Sequence, residues 1–230
     1  MRILGSVFLC FLLSVSFTSQ AQISIGIKGG PTFSRFTNAV NGDNGNGDIA
    51  IQSSGTVTQV YGSVFVDIPL DSSGKMFYIR PAIEYVGAGG KMNSDGLYYN
   101  ANGFQPSTKY TLHYVDVPVE FVFSPKFNWG RPWVGVGLYG GALINGTIKP
   151  DGGASQSVRK GNDPTDNFEP VDFGYVISLG MTVKPGFLFG FDYQKGFTSI
   201  VPAGAGGNTQ TRLKTHNSVW GFHIGWLFKL

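Results

Sequence analysis

The chain has 230 residues, of which 34 are glycine, 14% are aromatic and 13% are charged, with a formal net charge of +3 at pH 7. About a quarter of the residues in an ordinary globular protein are charged, so this composition argues against both a disordered and a helical protein. No run of basic residues is present, which excludes the electrostatic footprint of a nucleic-acid-binding protein.

The N-terminus has the features of a secretory signal peptide. Arg2 precedes an apolar run that is too short for a membrane helix, and small residues mark a cleavage site after Ala21. The only cysteine, Cys10, lies inside this segment, so the exported chain would have no disulfide. We therefore predict a signal peptide at 1–21 and a single mature domain at 22–230.

The rest of the chain contains eight segments in which bulky apolar residues alternate with small or polar ones. A period of two predicts β-strands with two distinct faces. The predicted strands are 23–36, 55–68, 75–87, 109–123, 131–144, 171–183, 187–197 and 213–230. The bulky side chains are too large and too many for the interior of a small barrel, whereas the glycine-, serine- and threonine-rich face suits one. We therefore predict that the bulky face contacts lipid and the small face lines a lumen.

The hairpin at 171–197 shows this pattern most clearly. Its outer face carries the aromatic and aliphatic residues, and its inner face carries glycine, serine and Asp172. Lys184-Pro185-Gly186 predicts a tight turn, because proline fixes φ and glycine tolerates positive φ. In the second predicted strand the facing is ambiguous around Tyr61-Gly62-Ser63, where a β-bulge is one explanation.

The connections between the predicted strands alternate strictly between long and short. Long glycine- and asparagine-rich loops cover 37–54, 88–108, 145–170 and 199–212. Outer-membrane barrels have this rhythm, with long loops outside the cell and tight turns in the periplasm. A tilted strand of about 11 residues also spans the apolar thickness of a membrane. We predict an all-β, eight-stranded antiparallel up-and-down transmembrane β-barrel in the cell outer membrane.

Several motifs carry a resemblance to a known family. They are GIKGGPTFSRF, HYVDVPVEFVFSP, RPWVGVGLYGGALING, VDFGYVISLGMTV, FGFDYQKGFTSI and NSVWGFHIGWLF. In these motifs the sequence resembles the PorT-like outer-membrane β-barrel proteins of the Bacteroidetes, and the resemblance extends over essentially the whole mature chain. The resemblance implies the barrel fold, and some relatives take part in protein secretion across the outer membrane. The C-terminus departs from the pattern, because Lys229 and Leu230 follow Phe228, whereas such proteins commonly end on an aromatic residue that serves as an assembly signal.

Seven charged residues fall on the predicted lumen face. They are Lys28, Arg80, Glu84, Asp116, Glu120, Asp172 and Asp192. Arg80 and Glu120 should lie at similar depth on adjacent strands. A lone buried charge is costly, and an eight-stranded barrel is just wide enough for its own side chains. We therefore predict a paired, structural charge network that fills the lumen, with a proton or ion path as the alternative.

Other residues suggest chemistry less strongly. Gly135 to Gly140 matches G-x-G-x-x-G, but a strand continues where a nucleotide site needs a helix, so these glycines are expected to relieve crowding. Trp129, Trp133, Trp226 and Phe228 form a predicted interfacial girdle near the periplasmic ends, with a core role as the alternative for Trp133.

The histidines are His113, His216 and His223, and a lipid-modifying enzyme would pair one of them with a serine. The sequence contains no G-x-S-x-G nucleophile elbow, so we predict no enzyme, no cofactor and no metal. The function we favour is a non-enzymatic scaffold or interaction protein of the envelope. Its expected partners are outer-membrane lipid, the barrel-assembly machinery and envelope or secretion proteins that contact the loops. A lipid-modifying enzyme, a narrow pore and a soluble lipocalin-type carrier remain the alternatives.

Overall fold

The structure, a computed structural model, describes residues 23–40, 50–70, 76–93, 107–163, 165–202 and 213–229. These residues form ten β-strands: β1 (Ser24–Val40), β2 (Ala50–Ser53), β3 (Val57–Pro69), β4 (Phe77–Asn93), β5 (Ser107–Phe123), β6 (Arg131–Pro150), β7 (Gln156–Ser157), β8 (Val171–Val183), β9 (Phe187–Gly196) and β10 (Leu213–Lys229). Within these ranges no helix is long and apolar enough to cross a membrane. The predicted signal peptide at 1–21 lies outside them.

Eight long strands form the wall of a closed barrel. They pair antiparallel in the order β1, β3, β4, β5, β6, β8, β9 and β10, and β10 pairs back onto β1. Closure leaves none of these eight strands with an unpaired side, which is what a lipid environment requires of a sheet. The short strands β2 and β7 extend the wall on the loop side by pairing with β1 and β6. The predicted eight-stranded antiparallel barrel is therefore confirmed.

The two faces of the wall differ as the alternation predicted. Ile83 is 65% exposed whereas its neighbour Glu84 is 2% exposed, and the same alternation recurs on the other strands. The outward side chains are mainly isoleucine, valine, leucine and phenylalanine. An apolar band around a closed barrel is the surface that lipid solvates.

The strands differ from the prediction in length and in the position of the bulge. β4 and β6 each continue six residues beyond their predicted ends, because cross-strand pairing with β5 holds glycine-rich segments that read as loops. No register shift occurs at Tyr61-Gly62-Ser63. The shift lies instead between His113 and Tyr114, where Ile144 of β6 has no partner on β5.

The lumen is packed with large side chains as well as with charges. A loop-end cluster closes one end and consists of Phe36, Tyr61, Val86, Ala88, Leu112, Tyr114, Leu143, Phe168, Ile200 and Val219. Two smaller turn-end clusters consist of Phe65, Ala82, Leu188 and Leu227, and of Tyr78, Val122 and Trp133. The expectation that glycines and ions alone fill the lumen is therefore incomplete, because inward aromatic rings occupy both ends.

Trp133 illustrates the correction. Trp129, Trp226 and Phe228 are exposed near the turn end, as a girdle requires, but Trp133 is 5% exposed. The prediction that Trp133 belongs to the girdle is wrong and the core alternative is confirmed. The alternation along β6 directs its side chain into the lumen.

Candidate functional site

The charged side chains of the lumen are the most distinctive group in the barrel. All seven residues that the sequence placed on the inner face are buried, and the structure adds Asp67 and His223 to them. The buried carboxylates are Asp67, Glu84, Asp116, Glu120, Asp172 and Asp192. Among the described residues, Lys28 and Arg80 are the cations that are buried in the lumen, and Arg131 adds a part-buried cation at the turn end, where its guanidinium lies over the Tyr78 ring, so carboxylates are in excess.

Lys28 ties together strands that are far apart in the sequence. Its Nζ lies 3.0 Å from Asp192 Oδ2 and 3.6 Å from Glu84 Oε1. The same Asp192 oxygen accepts a 2.7 Å hydrogen bond from the Tyr61 hydroxyl and lies 2.9 Å from His223 Nδ1. These contacts join β1, β3, β4, β9 and β10 across the lumen, so the cluster, which we call the Lys28 cluster, braces the closed barrel.

Arg80 forms a second pair nearer the turn end. Its Nε and Nη2 donate to the two oxygens of Asp67 at 2.6 and 3.1 Å, which is the two-pronged geometry that suits a guanidinium. The guanidinium also lies over the rings of Phe65 and Trp133, with ring centroids at 4.6 and 4.8 Å. Arg80 is therefore both paired and packed, and it belongs to the turn-end layer of the lumen.

Glu120 is the register partner of Arg80 across β4 and β5, as the similar depth predicted. Its carboxylate nevertheless accepts a hydrogen bond from Ser178, while Arg80 binds Asp67. A Cβ on Gly135 would lie 2.5 Å from both Glu120 Oε2 and Ser178 Oγ. Gly135 thus provides the room for this contact, and the G-x-G-x-x-G segment lies inside the continuous strand β6.

Asp172 and Asp116 lie in a different environment. Within the described residues, the side-chain donors to Asp172 are neutral groups, namely Tyr139 at 3.2 Å, Thr198 at 3.0 Å and Asn217 at 2.9 Å. Asp116 is 3% exposed, and its Oδ1 has no hydrogen-bond partner among the described residues. This part of the lumen, which we call the Asp116 region, contains two buried carboxyl groups that have no salt bridge to a lysine or arginine within the described residues.

The three histidines occupy separate places. His113 stacks on Tyr85 with ring centroids 5.7 Å apart, and its Nδ1 lies 2.6 Å from the Tyr85 hydroxyl. His216 Nδ1 lies 2.8 Å from the Thr198 carbonyl oxygen, and His223 belongs to the Lys28 cluster. Within the described residues none of these rings is hydrogen-bonded to a serine hydroxyl. The described residues also contain no group of three or more histidine, cysteine, aspartate or glutamate residues arranged to hold a metal.

Sequence reasoning missed Asp67 and did not connect His223 to the charges. The inward parity of β3 would have placed Asp67 in the lumen, but the large inward rings of Tyr61 and Phe65 obscured that parity. The alternation along β10 directs His223 to the inner face. Its contact with Asp192 depends on the β9–β10 register, which no local pattern reveals.

Comparison with known proteins agrees with this architecture. Residues 18–201 match the family model described as outer membrane protein beta-barrel domain. No curated protein matches the sequence. The match ends before β10, the strand that closes the wall.

Solved structures with a similar fold include Ail, the attachment invasion locus protein of Yersinia pestis. The two sequences are 10% identical, the match covers 87% of this chain and 98% of that chain, and the TM-score is 0.35. Neisserial surface protein A has 9% identity, coverages of 90% and 97%, and a TM-score of 0.41. OprG from Pseudomonas aeruginosa has 13% identity, coverages of 92% and 98%, and a TM-score of 0.45. At these identities the likeness concerns the fold alone. The family model, which covers most of the chain, carries the assignment: the chain belongs to the outer membrane protein beta-barrel domain family.

Proposed function

We propose that this protein is a non-enzymatic, non-conducting scaffold of the cell outer membrane that contacts its partners through the loop end of the barrel. The observation that carries the proposal is the loop-end cluster, in which Phe168 and Ile200 lie over the lumen. These two side chains come from different loops, and they are 5% and 0% exposed. A cap built from the loops themselves favours a closed platform over a channel.

The two loops are tied to each other and to the wall. Glu169 donates its backbone N–H to the Ile200 carbonyl at 2.8 Å, and Ile200 donates to the Thr215 carbonyl at 2.8 Å. The Phe168 ring packs against Phe36, with ring centroids 5.9 Å apart. Backbone hydrogen bonds of this kind hold a loop in one shape, and an ordered surface loop is a good element for recognition.

The closed lumen leads to a direct test against the narrow pore. An ion that crossed the barrel would have to pass the loop-end cluster and then the Arg80–Asp67 pair with its packed rings. We expect purified protein in planar bilayers to show no stepwise conductance at any voltage that the membrane withstands. The Phe168→Ala/Ile200→Ala double variant should stay silent as well, because the turn-end layer remains. Unitary currents from the wild-type protein would contradict the proposal.

The enzyme alternative is tested separately. His113 is paired with Tyr85 on the outer face, which supports a packing role at the rim rather than activation of a nucleophile. We expect no hydrolytic or acyl-transfer activity on phospholipid or lipopolysaccharide in micelles. Activity that disappears in His113→Ala but persists in His216→Ala would establish the enzyme instead.

Placement in the outer membrane, with the loops at the cell surface, can be tested with single cysteines. Cleavage after Ala21 would remove Cys10, so the mature chain offers a cysteine-free background, and N-terminal sequencing checks that cleavage. Asp151 and Asn128 are exposed at the loop end and the turn end respectively. An impermeant maleimide added to intact cells should label Asp151→Cys and not Asn128→Cys. The reverse result would invert the topology.

The resemblance to PorT-like proteins supports envelope or secretion proteins as the partners, alongside outer-membrane lipid and the barrel-assembly machinery. Photo-crosslinking residues placed at 151 and at 128 in intact cells provide a matched pair. We expect the loop position to capture a defined neighbour that the turn position does not. Equal capture at both positions, or none at the loop end, would argue against a partner at the loops.

A further inference from the structure

The starting observation is the imbalance of charge inside the lumen. Lys28 compensates Asp192 and Glu84, and Arg80 compensates Asp67. Asp116, Glu120 and Asp172 are buried without a salt bridge in the described part of the chain. The three side chains are each at most 3% exposed, and uncompensated carboxylates so far from solvent are unfavourable. An additional positive charge would relieve that cost.

Asp116 is the carboxylate with the fewest partners. The register places Glu84, Asp116, Gly141 and Asp172 in one row across β4, β5, β6 and β8. Side chains directly opposite on one face of an antiparallel pair lie about 5 Å apart at Cβ, and like charges there repel. Glu84 lies directly opposite Asp116, and Asp172 lies two strands further along the row, so both acidic neighbours in the row are unfavourable for a second negative charge. Its position therefore requires a cation or a proton.

Gly141 leaves room for the Asp116 carboxylate. A Cβ at this position would collide with Asp116 Oδ1. That oxygen lies over the glycine with no hydrogen-bond partner among the described residues, although the side chain is almost wholly buried. A buried acceptor that lacks a hydrogen-bond partner is a position at which a ligand can bind.

A neutral oxygen of the same region also lacks a hydrogen-bond partner among the described residues. The Asn217 amide donates its N–H to Asp172, which fixes its orientation and leaves the carbonyl oxygen unpartnered and buried. The Tyr114 hydroxyl is buried beside Asn217, and Tyr114 lies two residues before Asp116 on the inner face of β5. His216 is a further neighbour of Asp172, and its Nδ1 is in hydrogen-bond contact with the Thr198 carbonyl oxygen. An amide carbonyl can only accept, so a cation satisfies it directly.

We infer that the Asp116 region binds a hard cation, with Asp116 as the principal ligand and Asp172, Asn217 and Tyr114 supplying further oxygens. Carboxylate, amide carbonyl and hydroxyl oxygens with additional waters form the ligand set that Ca²⁺ prefers. The site has two carboxylates rather than three, so the bound ion keeps part of its hydration shell. The cation supplies the missing positive charge and joins β5, β8 and β10 as Lys28 joins its own strands.

The test uses the full mature barrel, refolded in a non-ionic detergent without lipopolysaccharide, and Ca²⁺ alone as the probe. Equilibrium dialysis with radioactive calcium should give about one ion per chain. The temperature of unfolding, followed by tryptophan fluorescence, should rise by about 5 °C between chelator and saturating Ca²⁺. Asp116→Asn should lose both the bound ion and the shift. The matched control Asp151→Asn removes an exposed loop carboxylate and should keep both.

Asn217→Ala provides a second variant, should Asp116→Asn fail to fold. It removes a neutral ligand and should weaken calcium binding by about tenfold. The inference is overturned if wild-type protein binds no calcium and unfolds at the same temperature in Ca²⁺, Mg²⁺, Na⁺ and chelator, in which case a proton provides the charge. It is also overturned if Asp116→Asn binds calcium as tightly as wild type, or if Asp151→Asn loses the ion.

Discussion

The Lys28 cluster and the Asp116 region lie in the same row of the barrel wall but balance their charges differently. The row runs from Lys28 through Ser63 and Glu84 to Asp116 and on, through Gly141, towards Asp172. At one end an ammonium sits between two carboxylates. At the other end Asp172 accepts hydrogen bonds from neutral donors, and neither Asp172 nor Asp116 has a salt bridge within the described residues.

The difference arises because barrel closure brings a cation and a carboxylate together in the Lys28 cluster. Lys28 and Asp192 are 164 residues apart in sequence and meet only because β10 pairs with β1 and β9. Their contact is therefore formed only in the closed barrel and stabilises that state. The Asp116 region also brings distant strands together, namely β5, β8 and β10, but within the described residues it contains no lysine or arginine. Its carboxylates should respond to added charge, whereas those of the Lys28 cluster should not.

The largest expected effect comes from removing the ammonium. Lys28→Met leaves Asp192 and Glu84 buried without a counter-charge, and breaking a buried pair in this way costs about 3–5 kcal/mol. Urea unfolding of the refolded barrel in detergent or liposomes measures the loss. Lys126→Met, at an exposed position in a short turn, should change the free energy of unfolding by less than about 0.5 kcal/mol. Equal stability of the two variants would show that the Lys28 cluster does not brace the barrel.

Arg80→Lys should have an intermediate effect. Lysine keeps the positive charge but loses the two-pronged contact with Asp67 and the stacking between Phe65 and Trp133, because an ammonium is a compact point charge. We expect a loss of about 1–3 kcal/mol in the same urea experiment. Arg80→Met should lose more, since Asp67 is then left uncompensated. If Arg80→Lys matches wild type, charge alone matters and the geometry of the pair does not.

The barrel was predictable from the sequence because lipid imposes a simple rule on every strand. Alternation assigned Ile83 outward and Glu84 inward, and the long and short connections gave the strand count and the closed topology. Predicted strand ends failed where glycines such as Gly89 and Gly90 occur. A local reading takes glycine as loop, whereas pairing with β5 holds this segment in a strand.

The contacts inside the lumen were less accessible to sequence reasoning. Parity shows that Arg80 faces inward, but the choice between Glu120 and Asp67 as its partner depends on side-chain reach and on the rings that pack around it. The Lys28–Asp192 contact likewise depends on which strands face each other across the closed barrel. Loop residues such as Phe168 and Ile200 carried no periodic signal, so the closure of the lumen became visible only in the folded structure.

The smallest expected effect is also the sharpest test of the contrast between the two regions. In the presence of chelator, Asp116→Asn removes a charge that has no counter-charge and keeps the shape of the side chain, so the free energy of unfolding should stay the same or rise by about 1 kcal/mol. The matched substitution Asp192→Asn weakens a carboxylate that binds Lys28, Tyr61 and His223, and should cost about 2–4 kcal/mol. The two variants make the same change, and they differ in which of the two regions loses a carboxylate. A loss of similar size in Asp116→Asn would mean that Asp116 is compensated within the protein as fully as Asp192 is. The contrast between the two regions would then disappear, and with it the reason for a cation at the Asp116 region.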